Sequence, residues 1–467
     1  MRSSKPAVAA ALLSLSGCSL APDYHRPEVA AATTYKEVPS GWTVAAPAAD
    51  ATPAAWWEAF GDPVLTDLES RIEKGSPSLA AAVARYDEAV GQLHAARADL
   101  YPTIGVGGSA ERDRTSAHAP TSRGVSSTFN DYQAAASLSW EIDLFGRIRN
   151  QVKANRSEAQ ASAADLAGVR LGLQTSLATA YFQMRGLDAR EGLLRQTVDA
   201  YQRAYELTDV RHEGGIASGL DTSRARAQLA SAKAELASLP AQRAAFEHAI
   251  AVLVGEPPST FAVAADPRQS APPAFPTGTP STLLQRRPDI DAAERRVYSA
   301  NARIGVARAA FFPALSLGGA GGFETTGPNL LSTASSFWAL GPASLALTVF
   351  DGGKRAAQVR VARAEFNEAA ATYKQTVLTA FKEVEDDLAS GRDLVAQEKN
   401  QRDAVQASET TQDLALTRYR DGASDYLDVV TAQTAALDAE RTLLGLHTQQ
   451  LTTAVDTVRA LGGVARP

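Results

Sequence analysis

Cys18 is the only cysteine in 467 residues, which excludes a disulfide framework. Long hydrophobic runs are also missing. No apolar stretch reaches the ~18 residues from which a membrane-spanning helix is read, so if this chain crosses a bilayer it does so as strands. Charge of one sign is lacking too: 46 basic residues face 52 acidic ones for a net of −6, with no basic patch of the kind that meets nucleic-acid phosphates. Aromatics make up only 7%. The six histidines, at 25, 94, 118, 212, 248 and 447, are scattered without ligand spacing. The patterns HExxH, GxSxG and GxxxxGK(S/T) do not occur, and His212-Glu213-Gly214-Gly215 lacks the second histidine of a zinc helix. Glycine clusters at 105–110 and 318–322 fall inside strand patterns, where close backbone approach explains them better than phosphate binding. The expectation is no catalysis, no metal site and no cofactor beyond a covalent lipid.

The lone thiol sits behind a leader. Arg2 and Lys5 supply positive charge, and Ala7–Leu15 form an apolar stretch too short to span a bilayer. It ends in Leu15-Ser16-Gly17-Cys18, which is similar to a bacterial lipobox. Residues 1–17 read as a signal peptide. Cys18 reads as the lipidation site, carrying a diacylglycerol and an N-acyl chain, and residues 18–75 as a lipid-anchored N-terminal segment.

Prolines crowd residues 22–102 and 257–288, yet none occurs between Pro120 and Pro240 or between Pro342 and Pro467. Those gaps permit long helices. Within them apolar residues recur every three or four positions, at Leu166, Val169, Leu173, Leu177, Ala180, Met184 and Leu187, and at Tyr373, Val377, Phe381, Val384 and Leu388. A helix over Arg147–Glu213 is predicted to be about 100 Å long at ~1.5 Å per residue. Gly168, Gly172, Gly186 and Gly192 within it read as packing sites. The halves repeat: "ARADLYPTI" at 96–104 matches "ARAAFFPAL" at 307–315, displaced by 211, while "VRHEGGIASGLD" at 210–221 aligns with "RYRDGASDYLD" at 418–428, displaced by 207. The loops between must differ by four residues. Two structural repeats follow, 76–254 and 285–463, each reading helix, strand, loop, strand, long helix, tight turn, helix. A Pro-rich linker, 255–284, joins them.

The strands fall within 103–145 and 314–350. Ile104, Val106, Gly108 and Ala110 alternate with Thr103, Gly105, Gly107, Ser109 and Glu111. Tyr132, Ala134, Ala136, Leu138, Trp140, Ile142 and Leu144 alternate with Gln133, Ala135, Ser137, Ser139, Glu141 and Asp143. The second copy is less regular, with Leu315, Leu317 and Phe323 and then Leu345, Leu347 and Val349. Such strands fit a transmembrane β-barrel or, on periodicity alone, a soluble sandwich. Tyr101, Trp140, Phe145, Phe311, Phe312, Trp338 and Phe350 lie near strand ends, where a barrel carries its aromatic girdles. Four strands cannot close a barrel, and an open edge is not viable in lipid, so a membrane reading requires several chains.

The lipobox, "WWEAFGDPVL" at 56–65, the duplicated strand and helix unit and the paired turns at Gly215 and Gly422 together resemble the outer membrane factors, TolC-like efflux ducts, in their lipoprotein branch. The resemblance covers essentially the whole mature chain. It implies a mainly α fold with a transmembrane β part, four strands per chain joining a trimeric β-barrel, and a long α-helical barrel. It also implies a lipid-anchored outer-membrane protein reaching into the periplasm, a homotrimer partnered by a periplasmic adaptor, an inner-membrane pump and outer-membrane lipid, and export of small toxic compounds. The turns Gly214, Gly215, Gly422 and Ala423 are expected to meet the adaptor. Tyr419 and Asp428 match the family's gate pattern, while Ser424 stands where some members carry a gate arginine and Thr431 where they carry a second aspartate. Arg211, Asp221, Arg420, Asp421 and Asp425 complete the gate candidates, and Ser218, Ser424 and Asp425 are also expected to cap helices. A periplasmic helical scaffold lipoprotein and an outer duct for protein secretion remain as alternatives.

Overall fold

The computed structural model describes residues 19–30, 32–37, 55–118, 124–273, 286–327 and 335–463. Cys18, the leader and the end of the Pro-rich linker lie outside them. A 3-10 turn, Trp56–Phe60, leads to α1 (Pro63–Gly75) and α2 (Pro77–Ala98), then β1 (Thr103–Arg114), β2 (Thr128–Ile142), α3 (Arg147–Glu213) and α4 (Gly219–Val254). The second half gives α5 (Pro288–Ala309), β3 (Ala314–Thr325), β4 (Ser335–Ala346), α6 (Lys354–Arg420) and α7 (Tyr426–Ala460).

The repeat holds element by element. α2 and α5 both have 22 residues and both begin on a proline, whose fixed φ suits a first helical position. α3 and α6 both have 67 residues, the first with the predicted bounds. β1 ends at Arg114 and β2 begins at Thr128, whereas β3 ends at Thr325 and β4 begins at Ser335, so the four-residue difference between the copies lies in the hairpin loops. Along the predicted stripes, Leu177, Met184, Tyr373, Val377, Val384 and Leu388 are buried. Of the four helix glycines, Gly186 meets a close neighbour: a Cβ there would stand 2.5 Å from the Thr448 hydroxyl of α7. Gly172 faces open space within the chain.

Two compact units divide the chain across the repeats: Met1–Glu28, Arg85–Ala163 and Ala292–Lys374 form one, and Val29–Ala84, Ala164–Asp291 and Gln375–Pro467 the other. The first unit holds the sheet, antiparallel in the order β1-β2-β3-β4. Its register aligns the apolar positions of every strand. Ile104 pairs with Leu138 and Val106 with Ala136, while Leu138 also faces Gly319 and Trp140 faces Leu317. Leu315 and Leu317 pair with Leu345 and Ala343, but Gly319 pairs with Leu340. Gly341 and Pro342 therefore oppose Gly318 alone. This one-residue bulge swaps the alternation in β4 and keeps Leu340 and Trp338 on the face of Leu345. It is why the second copy looks irregular in sequence. Leu347 and Val349, read as strand positions, lie past the end of β4. In the same unit α2 packs on α3 through Leu93, Ala96, Ile148 and Val152.

In the second unit the WWEAFGDPVL stretch makes a helix start. Asp62 caps α1 by accepting from the backbone N–H groups of Val64 and Leu65 at 2.9 and 3.2 Å, with Pro63 next. Its other oxygen accepts from the Tyr181 hydroxyl at 2.6 Å, and Phe60 packs on Phe182 at 4.7 Å. Arg185, buried on α3, donates to the Tyr181 hydroxyl, to Asp188 and to the Ala264 carbonyl at 2.9, 3.1 and 2.7 Å. Arg243 on α4 donates to Asp188 at 2.7 Å and to the Val263 carbonyl at 2.6 Å. These charge-assisted bonds hold the segment after α4 against the α3–α4 hairpin, with each buried charge paired. The bonds from Tyr181 to Asp62, from Arg185 to Ala264 and from Arg243 to Asp188 join residues far apart in sequence, so no pattern along the chain announces them.

Candidate functional site

The sheet exposes what a soluble sheet would bury. On its apolar face Val106 is 86% exposed, Leu340 90% and Trp338 83%, with Ile104, Phe323 and Leu345 also exposed. Tyr132 and Trp140 stand on that face eight residues apart, about 27 Å at ~3.4 Å per residue. At the ~35–45° tilt of barrel strands that is about 19–22 Å of height, somewhat less than the ~25 Å apolar band of an outer-membrane barrel. Tyr101, Phe311, Phe312 and Phe350 are exposed near the ends of the strands that lead to the helices. Phe145 stacks on Phe312 at 4.7 Å, and the Trp140 ring nitrogen donates to the Leu100 carbonyl at 3.0 Å. The opposite face carries Gly105, Ser109, Glu111, Gln133, Ser137, Ser316 and Glu324, small or polar throughout. Among the described residues β1 and β4 each pair on one side only, so both sheet edges are open there.

The second set of candidates gathers at the two helix turns of the other unit. α3 closes with Gly215 at φ +75°, its N–H on the His212 carbonyl, and with the Ile216 N–H on the Arg211 carbonyl at 2.8 Å. α6 closes identically: Gly422 at φ +76° bonds the Tyr419 carbonyl, and the Ala423 N–H bonds the Arg418 carbonyl at 2.8 Å. This is the Schellman arrangement, and the left-handed residue is glycine in both copies for steric reasons. Gly214 bonds the Val210 carbonyl at 3.0 Å. The exits differ. Ser218 caps α4 in a reciprocal capping box with Asp221, which also pairs with Arg224 at 3.7 Å. Asp425 occupies the same place before α7 without a side-chain cap, and the Ser424 hydroxyl is buried with no partner among the described residues, so neither provides the expected cap.

Arg211 joins the two turns. Its Nη1 donates to the carbonyls of Tyr419 and Arg420 at 2.8 and 3.2 Å, and its guanidinium lies 4.7 Å from the centre of the Tyr419 ring. A cation thus satisfies the last carbonyls of α6, at the negative end of that helix. Tyr419 is buried, meets Tyr426 edge-on at 5.1 Å and packs with Ala225 and Val429. Burial, with Tyr419 beside it, pushes the Tyr426 hydroxyl up to about 12. The Tyr419 hydroxyl has no partner among the described residues. Arg420, Asp421, Asp425 and Asp428 are exposed, as are Val210, Ile216, Leu220 and Leu427 around the turns. The structure therefore brings Arg211 and Tyr419 together, holds Asp221 in its own cap, and leaves Asp428 at the surface. The charge of Arg211 near a helix end was the only sequence sign of its role.

A family model described as outer membrane efflux protein matches residues 68–256 and 279–463. An antibiotic efflux pump outer membrane protein, ArpC of Pseudomonas putida, is 33% identical over 452 residues, which span 96% of this chain and 93% of that protein. A toluene efflux pump outer membrane protein, TtgC, also of Pseudomonas putida, is equally similar at 33% over 452 residues, with the same shares of 96% and 93%. Among solved structures, the outer-membrane channel OprN superimposes with a TM-score of 0.88 at 31% identity, covering 96% of this chain and 100% of the other.

Proposed function

The chain belongs to the outer membrane efflux protein family, and we propose that it works as a homotrimer in which twelve strands close one barrel. It is an outer-membrane efflux channel, the outer component of a tripartite pump, extending into the periplasm. The observation that carries the trimer is the sheet: an uncovered apolar face and two open edges, which lipid tolerates only when β1 of one chain meets β4 of the next. Conduction is passive, with no catalytic step and no resident cofactor. The test is purification in mild detergent, followed by unheated gel electrophoresis and planar-bilayer recording. A trimer that collapses on heating and conducts ions is expected; a monomeric, non-conducting protein would overturn the reading.

The cargo we propose is small organic compounds, since the two relatives are named for antibiotics and toluene. Restored tolerance to antibiotics and solvents in a strain lacking its own duct would support this, and rescue of metal tolerance alone would reassign the cargo. The turns at Gly214, Gly215, Gly422 and Ala423, with Ile216 and Leu220 exposed beside them, form the surface for a periplasmic adaptor, through which an inner-membrane pump delivers cargo. The mouth at those turns is held by Arg211 and Tyr419, with Asp428, Arg420, Asp421, Asp425 and Asp221 in reach of neighbouring chains. Cys18 carries the lipid anchor. Cys18→Ser is expected to abolish palmitate labelling while the barrel still inserts; unchanged labelling would remove the anchor assignment.

A further inference from the structure

The far end of β1 reads Glu111-Arg112-Asp113-Arg114, and the pleat sorts these residues by charge. Arg112 and Arg114 continue the apolar face of Ile104, Val106 and Ala110, and pair with Asn130 and Thr128. Glu111 and Asp113 fall on the other face, where Asp131 stands directly across from Glu111 and Glu324 follows on β3. Like charges set opposite each other weaken a sheet, whereas mixing the signs on each face would pair them. The sorting therefore points to two different surroundings. Both arginines are exposed, and neither has an ion pair or hydrogen bond among the described residues. The hairpin segments add no counter-charge, since 115–127 and 325–335 contain no acidic residue.

Tyr132, the outer aromatic of the apolar face, pairs with Ala110. At ~3.4 Å per residue and ~35–45° of tilt, Arg112 stands about 5 Å and Arg114 about 10 Å beyond that level, at headgroup depth. The opposite strand ends lead into the helices on the periplasmic side, so the two arginines border the outer leaflet, whose glycolipid carries phosphate esters on its sugars. We propose that Arg112 and Arg114 dock the phosphates of that outer-leaflet glycolipid, one site per chain around the barrel proposed above, on which this inference rests. A guanidinium presents two parallel N–H donors to a phosphate. The apolar face below receives the acyl chains of the same lipid, so headgroup and tails meet one continuous surface. The acids of the lumen face stay clear of the anionic ligand.

The test is titration of the purified protein in detergent with diphosphoryl lipid A and with the same lipid stripped of its phosphates, bound lipid being counted by native mass spectrometry. Saturable binding that requires the phosphates is expected. Arg112→Gln with Arg114→Gln should weaken it at least tenfold while the trimer and its conductance persist, and replacement of both by lysine should fall between, because an ammonium lacks the fork. Arg360→Gln, at an exposed position of α6, should bind like wild type. Should the double variant fail to assemble, each single variant and the phosphate dependence of the wild type decide. Equal binding of the two lipids, or equal binding by conducting trimers of wild type and double variant, would overturn the inference and leave the barrel standing. A monomeric, non-conducting wild type would overturn the barrel and the inference with it.

Discussion

Glu69 lies on α1 among Leu65, Leu68 and Ile72, fully buried, and neither carboxylate oxygen has a partner among the described residues. Burial raises its acid from the ordinary 4.5 to about 9, so the folded chain holds this proton while the unfolded chain releases it above about 4.5. The contribution is complete below that value and is lost as pH rises toward about 9, at ~1.4 kcal/mol per pH unit in the coupled range. Glu69→Leu is expected to raise the unfolding temperature at pH 8 and to flatten its decline between pH 5 and 8.5, followed by circular dichroism. Parallel wild-type and variant curves would show that Glu69 reaches water. The sequence did not reveal this residue. A glutamate between apolar neighbours on an amphipathic helix reads as the polar side of the stripe, and only the packing around α1 shows otherwise. Arg185 was hidden for a related reason, since the carbonyl it binds lies in the segment after α4, 79 residues away. The turn glycines were legible because their signal is local: Gly215 and Gly422 need positive φ whatever packs around them.

Elements were legible wherever one periodicity ran unbroken. The presence of a long α3 followed from a proline-free stretch and a three-four spacing, and the faces of β2 from strict alternation. β4 was not, because the bulge at Gly341 and Pro342 reverses its alternation midway and a reading in one phase sees only half the strand. Pro240, the strongest helix breaker, sits inside α4 all the same, a case of tertiary packing overriding local preference. The face assignment predicts a contrast between neighbouring residues. Leu138→Arg should cost ~2–4 kcal/mol of assembly if its site lies near the bilayer midplane, whereas Ser137→Arg should assemble and alter conductance. Trimer yield in outer-membrane fractions measures the first and bilayer recording the second. Equal tolerance on both faces would take the sheet out of the membrane. Position 322 tests the backbone itself: a Cβ on Gly322 would overlap the Ala134 carbonyl of the adjoining strand. Gly322→Val should therefore lower trimer yield even though it adds β-propensity, while Ala320→Val on the same face and strand should not.

At the scale of the assembly, the open edges of β1 and β4 and the paired turns ask for neighbours that a single chain does not contain. Periodicity along one chain could therefore imply an oligomer but not its contacts. Within one chain the firmest link between the two turns is Arg211. Each of its hydrogen bonds to the Tyr419 and Arg420 carbonyls is charge-assisted, a class contributing ~1.5–3 kcal/mol, although partial exposure to solvent reduces that. The Tyr419 hydroxyl bonds nothing among the described residues, so Tyr419→Phe removes no internal contact and tests only what a neighbouring chain supplies. Asp428, exposed on the first turn of α7, tests the same. If the closed mouth rests on the link made by Arg211, three copies act together, and loss of even ~0.5 kcal/mol from each shifts closed against open by about tenfold, since 1.4 kcal/mol is a factor of ten. Arg211→Ala is therefore expected to raise open probability by up to about tenfold and to admit vancomycin-sized antibiotics, with trimer yield on unheated gels unchanged. Arg211→Lys, which keeps the charge but presents a point donor instead of a fork, should fall between. Tyr419→Phe with Asp428→Ala should open the mouth further only if those groups bond across chains. Arg211→Ala trimers conducting like wild type would place the lock between chains, and the link inside each chain would then serve only to end α6.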